Sequence, residues 1–435
     1  MNQEIVFDVD EILNTAEGIP LTETNANFGT ISLDSIPVGR TGLQEPDFSV
    51  PLQIDEIGFA VTALDFRKMV GILDLLLKYS DPRHRVVRLN IFNDRVRWDA
   101  DIGQSFVQVT MHGPVWNHPA GASASIRILS LDDLIATSKA LGENASFRVG
   151  TRLIEVTSPE FTRPLYVYPH ERFLAHSDKI LKSLESCESA SIETQMLMRA
   201  INFVSKFVNT DSADATFDLV EISNGAALAA TRNCLAKASS ERLAEISVSF
   251  RPRLLRFVKP VLPFIGTAKL RHNESFCVIK GDNVLFGFEA IQQSFPLIEP
   301  QTIAENLLIP ASKLRSVVSA TVRTFGPGGV LRLSCDSIGL TTCQMLAFNP
   351  ADTRDLSISS TVSASRPDGP RALNVSLPAS PIYSFLEEFS ASNAELGFTE
   401  DRTRLILQDT KDQLTCEILV SLQRMNERKH TSGRQ

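Results

Sequence analysis

The chain has 435 residues, of which 43% are hydrophobic, and its formal net charge is −8. This length predicts about two to four domains, each with enough apolar residues for a core. No run approaches the roughly 18 apolar residues that a membrane span needs, and the acidic opening is unlike a signal peptide. We therefore expect a protein that neither spans a membrane nor is secreted by a standard signal.

The negative charge lies at one end of the chain. Residues 1–50 contain nine acids and one base, whereas residues 51–435 contain 42 of each. The mixture of Thr, Asn, Gly, Pro and acids over 1–55 predicts a largely disordered extension with a short ordered piece at 5–13. The body of the protein is therefore neutral, and its basic residues are free to gather on one surface.

Helical and strand-like patterns follow in a regular order. Three units each begin with a long helix, continue with strands, then have a short helix and further strands. Ser130 suits the N-cap of the first short helix, Asn224-Gly225 a hairpin turn, and Pro310 the first turn of the third long helix. A break is expected at Pro260. Predicted helices cover 64–78, 130–141, 192–208, 251–264, 310–324 and 381–389. Predicted strands cover 86–92, 96–99, 106–111, 146–150, 153–158, 164–168, 216–223, 226–237, 267–272, 275–280, 284–289, 330–335, 339–345, 355–363, 372–377, 394–398, 404–408 and 414–422.

The same layout recurs about every 120 residues, which is typical of a repeated domain. We predict an α+β fold of three similar domains, each with two helices packed against antiparallel sheets. The predicted divisions are an acidic N-terminal extension (1–55), domain 1 (56–177), domain 2 (178–303), domain 3 (304–425) and a basic C-terminal tail (426–435).

The predicted helices carry bases and small polar residues opposite their apolar stripes, with few acids. Each face alone is typical of a solvated helix. Together they would form a surface for a phosphate backbone, which binds by charge and reads no base sequence. The candidate DNA-binding residues are Arg67, Lys78, Arg83, Arg199, Lys206, Arg251, Arg253, Arg256, Lys259, Arg315 and Arg323.

Motifs for catalysis, nucleotides and metals are missing from the sequence. The glycine-rich turn at 326–329 lacks a following Gly-Lys-Ser/Thr, and there is no G-x-S-x-G or H-E-x-x-H. The six cysteines form no C-x-x-C pair, and His272 with Cys277 lacks further ligands nearby. We expect no enzyme activity, no metal and no cofactor; a Cys or His nucleophile stays open as an alternative.

Three segments resemble the beta sliding clamp of the bacterial-type DNA polymerase III. These are 128–173, with its short helix, strands and aromatic–proline closure; 196–238 with 250–259 and 286–300; and 305–425. The resemblance implies a divergent member whose three clamp domains close head to tail with a second copy into a homodimeric ring. Such a ring would encircle double-stranded DNA without sequence preference and serve as a processivity factor in the bacterial cytoplasm or nucleoid. A phage or mobile element is another source.

The resemblance also implies partners that bind through short linear motifs, namely a DNA polymerase and a clamp loader. The positions matching the family's partner-motif pocket are Phe217, Leu235, Pro296, Ile418, Val420 and Leu422, which also suit core strands. The sequence departs from the family at the 230–235 turn, at 215–216 and in the tail after 425. A clamp-like regulator or decoy that does not encircle DNA is therefore the second hypothesis. The acidic segment 1–50 is either a passive tail or one that lowers non-specific affinity for DNA.

Overall fold

The computed structural model describes residues 54–118, 124–208, 219–231, 233–295, 301–335, 342–351, 357–366 and 372–422. These ranges contain seven α-helices and 25 β-strands, and all of the paired strands are antiparallel. The predicted α+β class is therefore confirmed. None of the helices in these ranges has the length and apolar character needed to cross a membrane.

The elements follow one order three times: a strand and a long helix, then four strands, then a short helix and three strands. We call these groups the first, second and third repeats. The first repeat has an additional short strand, and the helix α3 follows it. Its elements are β1 (Ile54–Thr62), α1 (Ala63–Leu77), β2 (Val86–Ile91), β3 (Arg95–Asp101), β4 (Ser105–His112), β5 (Val115–Trp116), β6 (Ser125–Ser130), α2 (Leu131–Ala140), β7 (Asn144–Gly150), β8 (Leu153–Thr157), β9 (Thr162–Tyr166) and α3 (His176–Ser183).

The second and third repeats have the same order without the additional strand. The second consists of β10 (Ser189–Glu193), α4 (Thr194–Ser205), β11 (Val220–Ser223), β12 (Ala226–Thr231), β13 (Cys234–Ser239), β14 (Val248–Phe250), α5 (Leu255–Val261), β15 (Thr267–His272), β16 (Phe276–Lys280) and β17 (Val284–Glu289). The third consists of β18 (Glu305–Pro310), α6 (Ala311–Phe325), β19 (Val330–Cys335), β20 (Thr342–Phe348), β21 (Ser357–Ser363), β22 (Leu373–Pro378), α7 (Ala379–Glu388), β23 (Asn393–Phe398), β24 (Arg404–Lys411) and β25 (Leu414–Ser421).

Two of the four sheets run from one repeat into the next. One has the order β10-β15-β16-β17-β4-β3-β2-β6, and the other has the order β14-β11-β12-β13-β25-β24-β23-β18. We call the strand pair that joins two repeats a seam; the seams are β4·β17, with Val109 opposite Val284, and β13·β25, with Leu235 opposite Leu419. The remaining sheets, β5-β1-β7-β8-β9 and β21-β20-β19-β22, lie at the two ends of the series.

The buried apolar side chains form one core that extends through all three repeats, from Ile57 to Val420. In the first repeat its centre is aromatic. The Phe59 ring stacks on that of Phe147 at 4.6 Å between centroids, and Trp98 meets the edge of Phe59 at 6.2 Å. Burial of apolar surface on this scale is the main favourable contribution to folding.

Helix α3, which the sequence did not predict, is fastened to the first repeat by a buried ionic cluster. The Arg88 guanidinium donates to Asp99 Oδ2 at 2.8 Å and to Asp178 Oδ1 of α3 at 2.7 Å. Asp99 is fully buried and also accepts from Arg97 and Asn90 at 2.9 and 2.8 Å. Burial raises the pKa of Asp99, while the charges of Arg97 and Arg88 act in the opposite direction.

The predicted helices have counterparts whose ends are shifted by one to four residues, and three differences from the prediction have a local cause. The second long helix begins at Thr194 rather than 192, because 189–193 pairs as β10 with β15. Pro310 is the N-cap residue at the end of β18 rather than a first-turn residue. Pro260 lies inside α5 near its C-terminal end and does not interrupt it. A proline there removes one helical hydrogen bond, and the following turn tightens into the 3₁₀ helix Leu262–Phe264.

The opening strand of every repeat was missed. β1, β10 and β18 each run directly into a long helix, so no loop separates the strand from the helix; only β18 ends in a proline, Pro310, which the sequence assigned to the helix. The run 226–237, predicted as one strand, is two strands, β12 and β13, that pair with each other. The piece expected at 5–13 and the 1–55 extension up to residue 53 lie outside the described residues, as does the 426–435 tail.

Candidate nucleic-acid interface and partner surface

Six helices, two from each repeat, contact one another in the order α2-α1-α5-α4-α7-α6, and we call this set the helix row. The pairs α2·α1 and α7·α6 pack closely within the first and third repeats. Between repeats, the Tyr79 ring after α1 meets the Phe257 ring of α5 at 6.4 Å, and Phe203 of α4 meets Phe385 of α7 at 6.1 Å. Within the second repeat, Lys259 Nζ of α5 donates to Ser205 Oγ of α4 at 3.1 Å.

The helix row is basic although the body of the chain is neutral. Together with the cap residues at 78 and 206 and the 3₁₀ turns flanking α5, the six helices hold twelve bases and six acids. The bases are Arg67, Lys68, Lys78, Lys139, Arg199, Lys206, Arg253, Arg256, Lys259, Lys313, Arg315 and Arg323. The excess positive charge that the sequence predicted on these helices is therefore present, and it suits an anionic backbone.

Two of the predicted DNA-binding arginines hold helices together. Arg67 donates through Nε to Ser138 O at 3.1 Å and through Nη2 to Leu141 O, at the C-terminal end of α2. Arg315 donates to Phe389 O at 2.9 Å, at the C-terminal end of α7. Each arginine is the fifth residue of its long helix and precedes its acceptor carbonyl by 74 residues. Their charge satisfies the carbonyls at a helix C-terminus in both repeats.

Three further predicted residues are engaged where the second repeat meets the third. Arg199 Nη2 lies 3.3 Å from Asp412 Oδ2 and donates to Lys411 O. Lys206 Nζ contacts the carboxylates of Glu387 and Glu388, at 3.3 and 2.7 Å. Burial and the neighbouring charge of Lys206 lower the pKa of Lys259, which Glu388 partly offsets. Arg199 and Lys206 therefore tie α4 to the third repeat besides adding charge to the row.

The other predicted DNA-binding bases differ from one another in their surroundings. Arg256 lies over the Tyr79 ring at 5.4 Å, Lys78 lies near the same ring at 5.7 Å, and Arg253 Nη2 is 3.6 Å from Glu289. Arg251 is half-buried before the 3₁₀ turn Pro252–Leu254. The side chain of Arg83 lies outside the described atoms.

Arg323, Lys68 and Lys313 are exposed on the long helices α6 and α1, and they bond to no residue that the structure describes. Sequence reasoning missed Lys68 and Lys313, although both lie on the same helices as predicted residues. Because these three charges, like that of the exposed Lys139 on α2, are not consumed by contacts among the described residues, they are well placed for an external phosphate.

The second predicted site lies at the β13·β25 seam. Residues directly opposite on antiparallel strands share a face of the sheet, so Leu235 and its partner Leu419 lie together. Ala230 extends this row on one side, and Ile406 extends it on the other. Beyond Ile406 comes Gly397, where an added Cβ would approach Ile303 to 2.8 Å. We call Ala230, Leu235, Leu419, Ile406 and Ile303 the apolar row.

One end of the apolar row, Ala230 and Leu235, also belongs to a small hydrophobic cluster that is separate from the main core. Leu219, Ala230 and Phe295 are buried there, and Leu228, Leu235 and Ile291 pack against them half-buried. At its edge Phe295 N–H donates to the carboxylate of Glu221 at 2.6 Å, which holds the chain against β11. Ile303 is 42% exposed, so apolar surface at this seam is open to solvent.

Only part of the predicted pocket lies on this face. Ile418 and Val420 are fully buried in the core, on the side of the sheet opposite Leu235. Their assignment to a surface pocket beside Leu235 is therefore wrong, whereas Leu419 between them shares the face of Leu235. Leu422 is half-buried against the core, and Phe217 and Pro296 lie outside the described residues.

Three of the described thiols are poor nucleophiles. Burial raises the pKa of Cys234 and Cys416 to about 12 and also raises that of Cys277. A thiolate is the reactive form, so these groups stay protonated at neutral pH. Within the described ranges, no cluster of three or more His, Cys, Asp or Glu side chains is arranged to hold a metal.

Comparisons with solved structures find the same fold at low sequence identity. The DNA polymerase sliding clamp of Pseudomonas aeruginosa aligns with a TM-score of 0.69 at 13% identity, and the DNA polymerase III beta subunit of Thermotoga maritima with 0.67 at 13%. The Helicobacter pylori beta clamp gives 0.69 at 10%. Each alignment covers 85% of this chain and 100% of the other. Comparisons with protein-family profiles and with curated sequences find no match. The chain therefore has the fold of the bacterial DNA polymerase sliding clamps, as the resemblance in its sequence implied.

Proposed function

We propose that the chain is a DNA sliding clamp, a processivity factor that encircles duplex DNA and performs no chemistry of its own. The observation that carries the proposal is the pair of seams. In each seam, the third strand that lies between the two helices of one repeat (β4 or β13) pairs with the last strand of the following repeat (β17 or β25). The same rule applied to the third repeat assigns β21 a partner equivalent to β17 and β25, and that strand is β9 of a second copy.

Head-to-tail pairing of β21 with β9 would use two different surfaces of the chain, and such contacts close into rings when the rotation permits. Two copies then give a six-repeat homodimer with two seams between chains. Both strands end their sheets in the structure, which supports this pairing. The domains that go with it are close to those predicted at 56–177, 178–303 and 304–425, except that β1 begins at Ile54 and α3 (His176–Ser183) crosses the first division.

In this ring the helix row would face the duplex. Its bases would bind phosphates and leave the bases unread, so the protein would move along DNA of any sequence. DNA polymerase and a clamp loader would dock short apolar motifs on the apolar row at the β13·β25 seam. As a replication factor the protein would act in the bacterial cytoplasm, on the nucleoid.

Comparing circular with linear DNA tests whether the protein encircles the duplex. Protein loaded on circular duplex DNA is expected to remain bound through gel filtration, and to be lost when a restriction enzyme linearises the circle, because a ring slides off an end. The free protein is expected at twice the chain mass of 47.9 kDa. Equal retention on circular and linear DNA, or a stable monomer, would contradict the proposal.

We predict that Leu419→Asp abolishes polymerase stimulation while the ring persists, because the new charge lies on the proposed docking face. Val420→Ala is the matched control on the next residue. It is expected to lower the free energy of unfolding by about 2 kcal/mol, since it leaves a cavity in the core, and to spare polymerase binding. Primer extension and urea titration measure the two effects. A Leu419→Asp protein that stimulates synthesis normally would remove the docking face from this seam.

A second candidate is a clamp-like regulator that binds replication proteins without encircling DNA. The engagement of Arg199, Lys206 and Lys259 in contacts within the chain favours it, because these bases are less available to phosphate. Such a regulator would inhibit a cognate polymerase or leave it unaffected. If the protein stimulates synthesis of long products by a polymerase on a primed circular template, it is a clamp and not such a regulator.

A further inference from the structure

The outer edge of β9 has an unusual gap in its hydrogen-bonding groups. Val167 N–H donates to Arg152 O, and Ser158 N–H donates to Phe161 O, both at 2.9 Å. In an antiparallel pair, bonded and non-bonded positions alternate, so the odd-numbered residues 161–167 point their main-chain groups at β8. The even-numbered residues of β9 point theirs away from it.

The main-chain groups of Thr162, Pro164 and Tyr166 therefore point toward the outer edge of β9. Pro164 lies opposite Glu155 in the pairing with β8, at a position that makes no bond within the sheet. Proline has no N–H. Pro164 therefore costs the pairing of β9 with β8 no hydrogen bond, whereas a second strand that paired with the outer edge of β9 would find no donor at Pro164. Pro164 is also exposed, which leaves it accessible to a second chain.

The equivalent strands of the other repeats contain no proline. β17 and β25 occupy the position of β9 in their repeats, and each pairs along most of its length with a neighbouring repeat. They contain 6 and 8 residues, whereas β9 contains 5. The one counterpart left open in the described part of the chain is thus both shorter and missing a donor. Prolines on edge strands are a recognised means of limiting strand-to-strand association.

We propose that Pro164 weakens the β9·β21 seam between two copies of this chain by removing one of its main-chain hydrogen bonds. The proposal rests on the proposed function, in which a second copy supplies β21. The occupant of the β9 edge is thus the Ser357–Ser363 strand of another copy, which is free of proline and carries every N–H.

Restoring the missing donor tests this directly. Pro164→Ala should lower the monomer–dimer dissociation constant by about ten-fold, because each ring has two seams and each gains about one ordinary hydrogen bond. Sedimentation velocity over a dilution series measures the constant. Pro164→Thr, a better strand former, should give at least the same gain. Thermal melts show that each variant is folded.

The control removes a second donor on the same edge. Thr162→Pro should raise the dissociation constant by about ten-fold, since it removes another outward N–H and leaves the bonds to β8 intact. Introduced cysteines at Thr162 and Thr361 report whether β9 and β21 of different copies meet, through an inter-chain disulfide formed with an added oxidant.

The outcomes separate the two proposals. Folded Pro164 variants whose dimers dissociate at the wild-type concentration would overturn the role of Pro164 and leave the ring standing. Wild type and Pro164→Ala that both stay monomeric at every concentration would overturn the ring as well. A tighter Pro164→Ala dimer with a weaker Thr162→Pro dimer and a β9–β21 crosslink supports the inference.

Discussion

Reversing the charge of Lys68, Lys313 and Arg323 to Glu is expected to cause a large loss of DNA binding. All three are exposed on the helix row and make no bond to a described residue. Each phosphate contact contributes about one to the slope of log K against log salt, so the slope should fall by about three. Fluorescence anisotropy with duplex DNA at several salt concentrations measures it.

The matched control carries the same change in charge on a sheet face. Lys269, Arg271 and Lys280 are exposed on β15 and β16, and their reversal to Glu should leave the salt slope near the wild-type value. Equal losses in the two triple variants would mean that net charge alone governs binding, and would contradict the assignment to the helix row. Arg67 and Arg315 are poor choices for this test, because their loss would also free the C-terminal ends of α2 and α7.

Arg88→Ala is expected to lower the free energy of unfolding by about 3–5 kcal/mol, the usual cost of leaving a buried charge without its partner. Asp99 would stay fully buried with Arg97 and Asn90 as its remaining side-chain donors. The same substitution also removes the bond to Asp178 and the stacking of the guanidinium on Phe173 at 4.8 Å. Urea unfolding followed by circular dichroism measures the change.

Arg95→Ala is the control on the neighbouring strand β3. Its ion pair with Asp94 is exposed, so the expected cost is below about 1 kcal/mol. Replacing Arg88 and Asp99 together by apolar residues should recover part of the loss, since no buried charge is then left behind. An Arg88→Ala cost no larger than that of Arg95→Ala would show that solvent reaches Asp99.

The repeated layout of long and short helices could be predicted from the sequence because helical periodicity and caps are local. Ser130, predicted as an N-cap, accepts a hydrogen bond from Asp133 N–H, and Thr62 caps α1 in the same way although it was not predicted. The shared role of Arg67 and Arg315 was also within reach, since each precedes the end of a short helix by the same interval. The sequence analysis assigns both to the DNA-binding set instead, because packing between helices is not visible in one sequence.

The partner face could not be predicted to the residue. Ile418, Leu419 and Val420 are all apolar, so alternation along β25 does not reveal which side faces the core. The register with β13 decides it, by placing Leu419 opposite Leu235 and Val420 opposite Cys234. A shift by one residue would exchange the two faces, and that register depends on contacts between distant parts of the chain.

The seams also bear on what can be cut from this chain. Because β4 pairs with β17 and β13 with β25, excising one repeat would strip a neighbour from a long strand and expose a row of unpaired N–H and C=O groups. The common core would be cut at the same place. A lone repeat is thus an aggregation-prone fragment, and the smallest module that keeps every strand paired as it is now is the whole stretch from β1 to β25. Recombination between clamps of this fold is expected to exchange complete chains rather than single repeats.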